Sequence, residues 1–74
     1  MMPLTLSSVG EEKTIIKVGG NTEIKKHLND LGFVPGAEVS VVSELAGNVI
    51  VNIKETRVAI SRELAQRIMV KNFA

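Results

Sequence analysis

The sequence predicts a small, mainly β domain: a barrel of five or six short strands with one inserted helix. Three observations predict it. Ten valines and seven isoleucines dominate an apolar fraction of 45%, and β-branched side chains suit pleated, half-buried surfaces better than helices. Several segments alternate apolar and polar residues with a period of two, as strands with one face in a core do. Finally, 74 residues are too few for two stacked sheets, so short strands at close spacing hide their edges best by curling into a barrel. The chain is read as one domain over residues 1–74, with no linker, repeat or low-complexity segment. A domain this small buries only about 60% of the surface its unfolded form exposes. Without cysteine to staple it, dense apolar packing must hold it together.

Thr14-Ile15-Ile16-Lys17-Val18 is the first strand, stopped by Gly19-Gly20. Asn21 and Thr22 offer side-chain oxygens to the orphan N–H groups of a helix start, and Glu23 places negative charge in its first turn. Ile24, Leu28 and Leu31 recur at i, i+4 and i+7, and Gly32 follows as a left-handed terminator, so a helix spans about residues 22–31. Pro35-Gly36 fits a type II turn. Val39 and Val41 then alternate with Glu38 and Ser40, and Val49, Val51 and Ile53 with Asn52 and Lys54, giving a hairpin joined by Ala46-Gly47-Asn48. Arg57 to Ile60 is a further strand, Ser61 caps a short helical turn to Gln66, and Ile68-Met69-Val70 is a last strand.

Composition narrows the function. Nine Lys+Arg against eight Asp+Glu give a net charge of +1 with the signs interspersed, so no long-range field gathers phosphates or anionic lipid. Two Phe and no Trp or Tyr leave almost no platform for stacking unpaired bases or lining a proline-peptide groove. Met1 to Gly10 lacks the basic region of a signal peptide, and the uncharged run from Leu45 to Ile53 falls far short of the roughly 20 residues of a spanning helix. A cytoplasmic protein is the expectation.

Candidate chemistry is sparse. Glu23, His27 and Asp30 follow i, i+4, i+7 and are the one metal-ligand candidate, but they sit on the solvent side of the helix with Lys26 among them. Charged residues belong on that face in any case. Five serines have only His27 as a base, with no elbow or triad spacing. Gly19-Gly20-Asn21-Thr22 lacks the longer loop and Lys-Ser/Thr of a phosphate cradle and reads as a capped helix start. No catalytic residue and no cofactor is implied. The apolar residues without an evident core position are Phe33 and Val34 beside the turn and Leu45 and Ala46 at the hairpin tip; these are the expected partner-binding residues.

The run His27-Leu28-Asn29-Asp30-Leu31-Gly32-Phe33-Val34-Pro35-Gly36, followed by the valine strand from Val39 to Val42, resembles the FeoA family, small cytosolic proteins associated with ferrous iron uptake. The closing pattern is similar too: Arg57-Val58-Ala59-Ile60, then Glu63-Leu64-Ala65, then Ile68-Met69-Val70, while Leu4 to Ser8 fits the opening Leu-rich segment. Two positions depart from the family pattern, Gly47-Asn48 where Gly-Pro is frequent and Glu55 or Thr56 where a Gly is. The resemblance implies an SH3-like β-barrel with an inserted helix. It further implies a non-enzymatic accessory that binds the cytoplasmic part, G-protein domain or channel face, of the FeoB membrane transporter, with no nucleic-acid or membrane partner and a homo-oligomer left open. Two alternatives are carried. One is an accessory domain in metal-responsive transcription regulation, which a sequence opening directly at the barrel, without a helix-turn-helix, disfavours. The other is a divalent-metal protein that pools Glu23, His27 and Asp30 across identical chains.

Overall fold

The computed structural model describes residues 1–72. Six strands form one antiparallel sheet: β1 (Met2–Pro3), β2 (Glu12–Val18), β3 (Glu38–Leu45), β4 (Asn48–Ile53), β5 (Thr56–Ser61) and β6 (Ile68–Asn72). Helix α1 (Thr22–Asp30) is inserted between β2 and β3, and the short α2 (Arg62–Ala65) between β5 and β6. The strand order is β1-β6-β2-β3-β4-β5. The sheet curls until α2, packed on β4 and β5, also meets the 3-10 turn Leu4–Leu6 that follows β1. Helix and turn thus span the gap between the edge strands β5 and β1, and the core fills the inside.

The predicted alternation sets the inward faces. Val39 and Val41 of β3, Val49, Val51 and Ile53 of β4, and Ile68 and Val70 of β6 are all buried. The N-terminal segment, for which no element was expected, is tied in by pairing Met2 with Val70 and Pro3 with Met69, and it buries Leu4 completely.

α1 starts and stops as its sequence requires. The Asn21 side-chain oxygen accepts from the Ile24 N–H at 2.9 Å, filling one of the orphan donors of the first turn. At the other end Gly32 has φ 103°. Its N–H donates to the Asn29 carbonyl at 3.0 Å, and the Phe33 N–H donates to the Leu28 carbonyl at 2.9 Å. That pair of bonds is a Schellman motif, which brings the residue after the glycine back over the last helical turn. Pro35-Gly36 then turns as predicted, with φ 91° at Gly36 and the Ala37 N–H donating to the Val34 carbonyl at 3.0 Å.

Two local features escaped the sequence pattern. The β3–β4 connection is a two-residue turn, Ala46-Gly47 with φ 51° and 81°, and Leu45 pairs with Asn48 across it. The β4–β5 connection is a second such turn, at Lys54 and Glu55, with φ 49° and 64°. Both take the left-handed values that a tight hairpin demands. Two of the strand pairings also carry a bulge, β2–β6 between Ile15 and Lys17 of β2 and β3–β4 between Val41 and Ser43 of β3.

Candidate partner-binding surface

The bulge in β3 decides what the hairpin tip displays. Strict alternation from Val39 and Val41 would carry residues 43 and 45 inward. Val42 interrupts that phase, since Val41 faces Val51 while Ser43 faces Ile50. Beyond it Glu44 lies opposite the buried Val49 and Leu45 opposite the exposed Asn48, and directly opposed residues share a face of the sheet. The bulge therefore turns Leu45 to the outer face, where it is 69% exposed. Glu44 takes the inner phase at the rim and pairs with the guanidinium of Arg62, the first residue of α2. The Arg62 N–H donates to the Gly47 carbonyl at 3.1 Å, so the tip is braced from two sides. Ala46, beside Leu45, is exposed as well.

Phe33 behaves differently from its expected role. It is 1% exposed, because the Schellman bonds fold it back into the core that also holds Leu28. Its ring is a core side chain, not a surface anchor. Val34 is half-buried. Leu6 and Val9, which sequence reasoning passed over, are 68% and 63% exposed; the signal available for them was the uncharged stretch from Met1 to Gly10.

Two grooves flank the barrel. One, of about 440 Å³, runs along α1 and is lined by Thr22, Lys25, Lys26 and Asn29 with Val18, Phe33 and Pro35. Its helix residues share one face by their three- and four-residue spacing. The other, of about 430 Å³, is lined by the carboxylates Glu12, Glu38 and Glu55 together with Lys54 and Asn52.

Glu23, His27 and Asp30 are all exposed on α1. The seven steps from Glu23 to Asp30 advance about 10.5 Å along a helix, so these three groups do not converge on one point. Among the described residues no three His, Cys, Asp or Glu side chains are gathered to hold a metal ion. Among the described residues the one buried charged side chain is that of Lys13, 5% exposed. Its Nζ donates to the Asn72 side-chain oxygen at 2.6 Å and lies 3.6 Å from a Glu11 carboxylate oxygen. Among the described residues, no helix is long and apolar enough to cross a membrane.

A curled six-stranded barrel with a braced apolar tip and two open grooves is a small β-barrel module built around its outer surface. Residues 2–72 match the FeoA domain model, and the chain belongs to the FeoA family. It is 32% identical over 72 residues to a candidate Fe(2+) transport protein A of Methanocaldococcus jannaschii, covering 97% of this chain and 88% of that protein. Among solved structures it resembles an iron uptake regulatory protein, FeoA, with a TM-score of 0.89 and 28% identity over 97% of this chain and 96% of that one. The FeoA of Stenotrophomonas maltophilia, solved with zinc and described as an SH3 domain protein, gives a TM-score of 0.83 and 27% identity, covering 96% and 91%. The fold is thus the SH3-like barrel of the FeoA proteins, and the family ties the chain to ferrous iron transport. A manganese-dependent transcriptional repressor shares the fold over 36% of its own length, with a TM-score of 0.88 and 19% identity over 96% of this chain. That likeness concerns fold alone.

Proposed function

We propose that this chain is a non-catalytic regulatory accessory of ferrous iron uptake, which binds the cytoplasmic part of a FeoB-type transporter. Family membership supports the iron-transport half of the reading. The observation that carries the binding half is the bulge at Val42, which sets a large apolar side chain, Leu45, in water at a braced tip. Bulges re-aim side chains at sites of function, and a rigid apolar anchor loses little conformational freedom when a partner covers it. Ala46 is small and leaves room for a close approach, and Val34 is a flanking contact. Phe33 contributes by holding the α1 terminus in place.

The test is binding of the purified chain to detergent-solubilised transporter, measured without nucleotide, with GDP and with a GTP analogue. Leu45→Asp should weaken binding at least about tenfold, about 1.4 kcal/mol, while the thermal transition of the isolated chain stays in place. Failure of the wild-type chain to bind in every nucleotide state overturns the function. Undiminished binding by folded Leu45→Asp overturns the site.

A further inference from the structure

We propose that β5 pairs with β5 of a second copy of this chain, joining two barrels through one continuous antiparallel sheet. The two edges of the sheet are built very differently. β1 is only Met2 and Pro3, and a short, proline-bearing edge is a poor template for another strand. β5 runs six residues, Thr56-Arg57-Val58-Ala59-Ile60-Ser61, in unbroken register with β4 and with no proline. Arg57 is its only charge.

The tight turn at Lys54-Glu55 fixes which backbone groups face outward. Residues flanking a two-residue hairpin turn exchange both hydrogen bonds, and the pattern then alternates. Ile53–Thr56, Val51–Val58 and Val49–Ile60 are therefore the bonded pairs within the register. Arg57 and Ala59 turn both N–H and C=O to the free edge, and Ser61 turns its N–H there. None of these N–H groups donates to any backbone carbonyl elsewhere among the described residues.

A second copy fits this edge by symmetry. In the two-fold register centred on Ala59, Ala59 of one copy meets Ala59 of the other, Arg57 meets Ser61, and Val58 meets Ile60. This register engages all three outward-facing residues at once. Centring on Arg57 would set two guanidinium groups against each other, and centring on Val58 would leave Ser61 opposite the turn. Arg57 and Ala59 are exposed on the outer face, whereas Val58 is half-buried and Ile60 buried on the inner one, so the new pairs continue both faces of the sheet. The methyl group of Ala59 permits close approach, and a net charge of +1 offers little repulsion between copies.

Cysteine is absent from the chain, so one introduced thiol is a clean reporter. Cα atoms of a bonded antiparallel pair lie about 5.5 Å apart, within disulfide reach. Oxidised Ala59→Cys should give a covalent dimer, while Lys17→Cys, exposed on an interior strand, should not. By sedimentation the wild-type chain should move with concentration from 8.0 kDa to twice that mass. Ala59→Pro should stay at the monomer mass, since it removes only an outward N–H and leaves the pairing with β4. A wild-type chain that remains monomeric at millimolar concentration overturns the proposal. So does a dimer that Ala59→Cys fails to cross-link, or a β5 that accepts only a foreign strand. The cross-linking result stands even where the proline variant does not fold.

Discussion

Phe33 owes its burial to the residue before it. Gly32 reaches a φ of 103° without a side-chain penalty, and the chain turns the aromatic ring under the helix end. Phe33→Ala should therefore cost about 3–5 kcal/mol in urea unfolding, as for other buried aromatics. A cost below about 1 kcal/mol, within the range of surface substitutions, would return Phe33 to the surface. Glu55 shows the opposite imbalance. Its φ of 64° is one that side chains with a Cβ adopt at a cost of about 1–2 kcal/mol. Glu55→Gly should stabilise the domain by about 1 kcal/mol once the greater freedom of glycine in the unfolded chain is subtracted, read as a higher urea midpoint at unchanged slope. His27 is exposed on α1, and no three potential ligands are gathered around it among the described residues. Titration with ferrous or zinc ion to millimolar concentration should leave its ring resonances in place; a shift at micromolar metal would restore Glu23, His27 and Asp30 as a site, either within one chain or between copies.

Among the elements, α1 was the most legible. Its start, apolar face and glycine stop are local, and local signals survive in a bare sequence. The strands of the barrel were legible for a related reason, because alternation of Val39, Val41, Val49, Val51 and Ile53 maps directly onto one buried face. What sequence could not show were the places where the backbone departs from its period. The bulge at Val42 has no residue signature of its own, and it alone separates an inward Leu45 from an outward one. Leu45 and Ala46 are nevertheless recognisable as tip residues, whereas nothing beyond Gly32 signals the Schellman bond that folds Phe33 into the core. The burial of Lys13 was equally hidden, because its partners Glu11 and Asn72 come together only once β6 docks on β2. At this scale the cap is the simplest test: Asn21→Ala should cost about 1 kcal/mol, measured by thermal unfolding, with the loss confined to amide exchange in the first turn of α1. Protection unchanged there would mean that the 2.9 Å bond from the Ile24 N–H contributes nothing.

For the molecule as a whole, the balance of charge bears on how a partner is met. With nine cationic and eight anionic side chains interspersed, the barrel projects almost no net field beyond the roughly 8 Å over which physiological salt lets charges act. On the proposed function a partner is then held by short-range contact, and the exposed Leu45 at the braced tip is the side chain proposed to make it. The two grooves carry local charge of opposite sign, Lys25 and Lys26 beside α1 and the three carboxylates beyond the Pro-Gly turn, so they would answer to salt where the tip would not. If Leu45 dominates the contact with the transporter, raising ionic strength tenfold should change the dissociation constant by no more than about threefold, or about 0.7 kcal/mol. A fall in affinity of tenfold or more would instead place the contact in a charged groove. Lys25→Glu combined with Lys26→Glu then tells the grooves apart: these exposed substitutions should leave stability within about 0.5 kcal/mol, and they should abolish the salt dependence only if the α1 groove is where the partner sits.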